Sequence, residues 1–193
     1  ITKPLPGGLA VATIISCAVF SSISGSSPVT LLAVGSVMYP ALLANGYSKR
    51  FALGALTSGG TLGIVIPPSI PLILYGIVTE NSIADLFLAG LIPGLLITLV
   101  LAAYSLWVNR KMPAQPLDLS ALKRNLREGV WALMLPVIML GGIYSGYFSA
   151  TEAAAVALAY GILVEAFVYR EIKLLDAYET ALDTARLLGI LFP

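Results

Sequence analysis

Charge in this 193-residue chain is bunched, and the bunching leaves four long stretches that a water-soluble fold does not explain. Residues 4–48, 51–79 and 86–109 carry no charge, and 129–164 is interrupted only by Glu152. Crossing a bilayer takes about 20 apolar residues at roughly 1.5 Å each, so every stretch is long enough to cross. Composition agrees: 11% of residues are charged and 58% hydrophobic, whereas about 25% charged is usual in a soluble domain. The chain reads as an all-α polytopic membrane protein.

Composition also excludes a good deal. With no histidine there is no Ser-His-Asp triad, no Cys-His dyad and no His-ligated zinc or haem. Cys17 is the single cysteine, which removes an internal disulfide. Cys17, Met38, Met112, Met134 and Met139 share no soft-metal spacing and read as lipid- or core-facing filler. A net charge of +1 offers no footprint for nucleic acid. Nothing at the N-terminus reads as a signal peptide. The chain opens at Ile1 and closes just after Leu187–Phe192 begins an apolar segment, the expectation for a fragment cut at both ends.

Loop charges set an orientation, because Lys and Arg mark the cytoplasmic ends of spans. Lys49 and Arg50 follow the first stretch. Glu80 and Asp85 follow the second, with no basic residue beside them. Arg110, Lys111, Lys123, Arg124 and Arg127 follow the third; Ser149–Glu152 has none; Arg170 and Lys173 close the last. The sides alternate in, out, in, out, in. The first stretch is different, since 45 uncharged residues would make a straight helix of roughly 67 Å. Its middle, Ser21-Ser22-Ile23-Ser24-Gly25-Ser26-Ser27-Pro28, is poor helix material. Lys3 and Lys49 put both ends on one side, so residues 7–46 are expected to form a re-entrant hairpin, with Pro28 in a first turn and Asn45-Gly46 as a C-cap. Residues 51–79 form a broken helix, helical at 51–57 and 69–79 only. Residues 86–109 are a span with Tyr104 and Trp107 at the interface, and 1–109 together make the transport-type region. Residues 110–128 are a cytoplasmic linker with a short amphipathic helix from Ser120 to Glu128. Residues 129–169 hold two transmembrane helices, and 170–193 an interfacial helix and the start of a truncated second half.

Two places carry candidate chemistry. The hairpin tip, Ser24-Gly25-Ser26-Ser27 with Ser21, Ser22 and Thr30 nearby, offers hydroxyls and freed carbonyls, hard neutral ligands suited to sodium. The second break, Gly59-Gly60-Thr61-Leu62-Gly63 to Pro67-Pro68-Ser69, puts irregular backbone where only protein or a wet cavity tolerates it. Small residues also serve simply to pack membrane helices. Two interrupted segments in one short region favour a transport site, and read as two walls of one cavity. Glu152 reads as the closing residue of a capping box, Ser149-Ala150-Thr151-Glu152, with a proton or ion relay as the alternative. Glu165 reads as an interfacial anchor beside Arg170.

Longer strings identify a family. Gly7-Gly8-Leu9-Ala10-Val11-Ala12-Thr13, Ser22 to Ser27, Gly46-Tyr47-Ser48-Lys49-Arg50-Phe51-Ala52 and Gly60-Thr61-Leu62-Gly63-Ile64-Val65-Ile66-Pro67-Pro68-Ser69-Ile70-Pro71 occur in order. Phe87-Leu88-Ala89-Gly90, Ile92-Pro93-Gly94, Leu135-Pro136-Val137-Ile138, Gly141-Gly142-Ile143-Tyr144-Ser145-Gly146 and Thr151-Glu152-Ala153-Ala154-Ala155 extend the match over nearly the whole chain. The sequence resembles the large membrane (permease) subunit of the tripartite ATP-independent periplasmic (TRAP) transporters, C4-dicarboxylate type, within the ion transporter superfamily. The resemblance implies one half of an inverted-repeat, elevator-type transporter in the bacterial inner membrane. It implies sodium-coupled uptake of an organic acid such as a C4-dicarboxylate or sialic acid, with sodium as coupling ion and no other cofactor. The implied partners are a small membrane subunit, a periplasmic substrate-binding protein, the solute and the lipid bilayer. Carried over by position, the ion- and substrate-binding motifs fall on Ser24, Gly25, Ser26 and Ser27, and on Gly60, Thr61, Gly63, Pro67, Pro68 and Ser69. Ser24, Ser26, Gly60 and Gly63 are the sodium candidates. The rivals are an ion-coupled carboxylate carrier of the same superfamily that works without a binding protein, a membrane-embedded enzyme, and a scaffold subunit. An enzyme would lack a base for its serine, and a scaffold has no use for two polar breaks at bilayer depth.

Overall fold

The computed structural model describes residues 7–112, 119–170 and 174–191, and every regular element among them is helical. Helix α1 (Gly8–Ser24) and helix α2 (Ser27–Ala44) form the hairpin, with Pro28 in the first turn of α2 and Asn45 as its C-cap. Helix α3 (Lys49–Gly60) is capped by Ser48, whose hydroxyl accepts the Phe51 N–H at 3.2 Å. One 3₁₀ turn (Thr61–Ile64) extends it before helix α4 (Ile70–Thr79) begins. Helices α5 (Ile83–Val108), α6 (Leu119–Tyr144), α7 (Ala150–Leu163) and α8 (Leu174–Leu191) follow. A π-helical turn, Val164–Tyr169, closes α7. Ser27–Ala44, Ile83–Val108 and Ala150–Tyr169 are long and apolar enough to cross a membrane. Much of α5 faces outward, with Ile92 76% and Leu99 70% exposed. On a lone soluble domain that surface would be a liability, whereas lipid covers it at no cost. This is an all-α polytopic membrane protein.

Both breaks are narrower than the composition suggests. Ser21–Ser24 stay helical, so the hairpin turns on Gly25 and Ser26 alone. Residues 58–64 are helical as well, and irregular backbone is confined to Val65–Ser69, where the Pro67–Pro68 peptide is cis. Glycine weakens a helix by only about 1 kcal/mol, which packing can offset, but the prolines at 67 and 68 offer no N–H and oppose a helical residue before each. For the same reason α6 runs unbroken from Leu119 through Gly129, joining what composition divides into a short amphipathic helix of the linker and a separate span. Likewise α8 runs to Leu191 without a break at residue 187. Lys3, Pro113, Pro116 and Lys173 lie outside the described residues.

Packing sorts the loops to two ends. Tyr47, in the α2–α3 turn, is buried with Ala10, Leu42 and Ala52, and Met112 beyond α5 packs on that cluster. This end carries Lys49, Arg50, Arg110 and Lys111. At the other end Ile83 and Ala84 pack with Ile143, Phe148 and Ala153 around the fully buried Phe87, so the α4–α5 and α6–α7 turns are neighbours. That end carries Glu80, Asp85 and Glu152. The hairpin as a whole begins and ends at the basic end. Between the ends, Cys17, Val34, Leu56, Leu62 and Ile66 form a core that joins the hairpin to the broken helix, with Met38 packed on it.

Candidate functional site

The two breaks meet. Gly25 turns the hairpin in the left-handed region (φ 60°, ψ 14°), a conformation that suits glycine, and donates its N–H to the Ser21 carbonyl at 3.0 Å. The Gly25 carbonyl in turn accepts the Ile70 N–H, the first of α4, at 3.3 Å. A Cβ on Gly25 would sit 2.7 Å from the Pro68 carbonyl oxygen. A Cβ on Gly63 would come within 2.6 Å of the Ser26 carbonyl and 2.8 Å of the Ser27 nitrogen. Gly60 is less tight, its Cβ position 3.2 Å from the Leu31 Cβ and 3.5 Å from the Ser27 carbonyl oxygen. Hairpin tip and broken helix are therefore in backbone contact, rather than facing each other across a cavity. Neither Gly60 nor Gly63 has a positive φ; close approach is what their bare Cα atoms permit.

Four helix termini converge at this contact: the end of α1 at Ser24, the start of α2 at Ser27, the end of the 3₁₀ turn at Ile64 and the start of α4 at Ile70. Helix C-termini present partly negative carbonyls and N-termini partly positive N–H groups, so one locus offers partial charge of both signs. The hydroxyls divide into two kinds. Ser24 Oγ lies 2.7 Å from the buried Thr30 Oγ1, and Ser69 Oγ donates to the Ile64 carbonyl at 2.7 Å. Those bonds brace the hairpin and the break. Ser21 Oγ and Ser27 Oγ are buried with no partner among the described residues, although such a group costs about 1–3 kcal/mol when unsatisfied. Among the described residues no group of three or more His, Cys, Asp or Glu converges, so the donors at the contact are neutral oxygens. Gly25, Ser26, Ser27, Gly60, Gly63 and Pro68 come together here, with Ser24 beside them; Pro67 and Ser69 lie buried in the break. Thr61 does not join them: it is exposed and donates to the Ser58 carbonyl at 2.7 Å.

Sequence reasoning left two sets of residues off the site. Ser21 is one, since nothing in a run of serines separates Ser21 from Ser22, whose exposed hydroxyl closes on the Val19 carbonyl at 2.6 Å. The other is the face of α5 against the break. Cβ atoms on Gly90 and Gly94 would lie 2.9 Å from the Val65 carbonyl oxygen and 2.8 Å from the Ile66 Cγ1. Their spacing of four, small residues on one helix face, is the signal that could have found them. Glu152 stands apart, at the acidic end. Its Oε2 accepts the Ser149 N–H at 2.7 Å while the Glu152 N–H donates to Ser149 Oγ at 3.3 Å, the complete capping box.

Comparison with known proteins extends this geometry. The family model described as "Tripartite ATP-independent periplasmic transporter, DctM component" matches residues 2–192. The chain is 45% identical over 184 residues to the C4-dicarboxylate TRAP transporter large permease protein DctM of Pseudomonas aeruginosa, covering 94% of this chain and 43% of that protein. It is 41% identical over 189 residues to the ectoine/5-hydroxyectoine TRAP transporter large permease protein UehC of Ruegeria pomeroyi, covering 96% and 44%. With the sialic acid TRAP transporter permease protein SiaT of Haemophilus influenzae it shares 35% identity over 187 residues, 95% of this chain and 30% of that one. The chain thus spans less than half the length of these relatives. By its match along nearly its whole length, the chain belongs to the DctM component family of the tripartite ATP-independent periplasmic transporters, multi-pass proteins of the bacterial inner membrane.

Proposed function

We propose that this chain supplies one ion- and solute-binding half of a sodium-coupled permease that takes up a small organic acid. The observation that carries the reading is the contact between hairpin tip and broken helix, where the buried Ser27 hydroxyl, and one turn back on α1 the buried Ser21 hydroxyl, lack partners among the described residues. Sodium is a hard cation that such oxygens suit, and its binding would satisfy hydroxyls that otherwise carry a penalty. With the ion in place, the N-termini of α2 and α4 favour a carboxylate nearby. The relatives named for C4-dicarboxylates and sialic acid transport carboxylates, so a carboxylated solute is the substrate class this reading adopts. The chemistry is binding and release, with no covalent step. A small membrane subunit and a periplasmic binding protein complete the transporter, and the hairpin is re-entrant.

The test is uptake as a function of sodium in the complete transporter. Ser27→Ala is expected to raise the sodium concentration for half-maximal uptake by about fivefold to 100-fold, the range set by losing one buried polar partner. Ser22→Ala, whose hydroxyl bonds only within its own helix, is expected to leave it unchanged. Identical sodium curves for Ser27→Ala, Ser21→Ala and the parent would assign these hydroxyls to packing and remove sodium from the contact.

A further inference from the structure

A cavity of about 460 Å³ lies between α3 and α5 on the basic half of the molecule, floored by Ile14 of α1. Ser48 and Arg50 line it at one end, and from Arg50 it runs down to Ser58, roughly 12 Å along the helix at 1.5 Å per residue. Arg50 is exposed at its mouth, and no ion pair among the described residues involves it. One wall is α5. There Ser105, 2% exposed, lends its carbonyl to the Asn109 side chain while its hydroxyl makes no hydrogen bond among the described residues. Gly54 opens the other wall, with nothing within 4 Å of its Cβ position.

We propose that this slot holds an anionic phospholipid of the surrounding leaflet. An occupant must match a fixed order: a cation at the mouth, unpaired hydroxyl on the wall, and apolar surface from Ile14 and Leu101. The Arg50 guanidinium takes the phosphate, with Lys49, Arg110 and Lys111 adding positive potential at the same end. The Ser105 hydroxyl donates to an ester carbonyl, and one acyl chain lies along the space left open by Gly54. A free phosphate would satisfy Arg50 alone and leave Ser105 unpaired. Because the slot borders α3 and the floor of the hairpin, a seated lipid would brace the pair that carries the ion-binding contact; its occupancy does not depend on that contact binding sodium.

Native mass spectrometry of the complete, detergent-purified permease, titrated with phosphatidylglycerol, tests this. The parent is expected to retain one phosphatidylglycerol that survives excess glycerol 3-phosphate. Arg50→Gln is expected to weaken retention about fivefold, the effect of one basic residue on an anionic lipid. Gly54→Leu fills the slot without changing charge and is expected to abolish that bound lipid, with both variants eluting as the parent does on size exclusion. Equal retention in parent and both variants, or displacement of the lipid by glycerol 3-phosphate, would overturn the proposal. A structure of the complete permease with protein in the slot would overturn it too. Sodium-dependent uptake, measured on the same samples, reports separately on the hairpin contact.

Discussion

At Gly63 the difference between hydrogen and methyl decides whether the hairpin can reach the broken helix. An added Cβ would overlap backbone atoms of Ser26 and Ser27, which cannot swing aside as a side chain would. Overpacking of this kind costs about 1–3 kcal/mol. Gly63→Ala is therefore expected to lower uptake per inserted permease by about tenfold, measured in vesicles normalised by immunoblot. Gly60→Ala meets the Leu31 side chain at 3.2 Å instead, which a small helix shift relieves, and is expected to keep most of its uptake. Equal loss in both would mean that backbone conformation, and not approach, is what these glycines supply. That both glycines are candidates was legible in the Gly-Thr-Leu-Gly string. The reason was not, because glycine marks a left-handed residue and a close contact with the same letter, and only Gly25 of these three is left-handed.

Among the elements, α7 shows how far local sequence reaches. Ser-x-x-Glu ahead of an alanine run specifies its own start, since both hydrogen bonds lie within four residues. Ser149→Ala is expected to destabilise the complete permease by about 1 kcal/mol, read as a lower thermal midpoint in detergent. Glu152→Gln is expected to leave uptake intact, because glutamine can fill the same capping position. Abolished uptake in Glu152→Gln would make this carboxylate a relay after all. The extent of the broken helix was not legible in the same way. Three glycines within 58–64 suggested irregular backbone, yet their neighbours are close enough to hold a helix: a Cβ on Gly59 would lie 2.9 Å from the Cys17 sulfur and 3.5 Å from the Ile14 Cδ1. Helix propensity is worth about 1 kcal/mol at such a residue, and tertiary packing outweighs it. The prolines needed no such context, because a missing N–H breaks the helix in any environment.

For the molecule as a whole, the segregation of Lys49, Arg50, Arg110 and Lys111 from Glu80, Asp85 and Glu152 supports an orientation with the basic end in the cytoplasm. Single cysteines in a Cys17→Ala background are expected to be labelled from the cytoplasm near Lys49 and only from the periplasm near Asn81. Periplasmic labelling at Lys49 would invert the assignment. The all-helical class, the long uncharged segments, the hairpin turn and the alternation of loop charge are all written in the sequence. Apolar length and charge act through the solvent, and a membrane reads them residue by residue whatever the fold. What only the tertiary structure decided is the meeting of Gly25 with Pro68, of Gly63 with Ser26, and of Gly90 and Gly94 with the break. It also decided which hydroxyls are already spent on neighbours, as at Ser24 and Ser69, and which are left over, as at Ser21 and Ser27. The backbone contacts depend on atoms tens of residues apart settling within a few ångströms, and that same packing decides whether a hydroxyl is left over. No pattern along the chain encodes such a distance, because it is the packing of all the helices together that sets it.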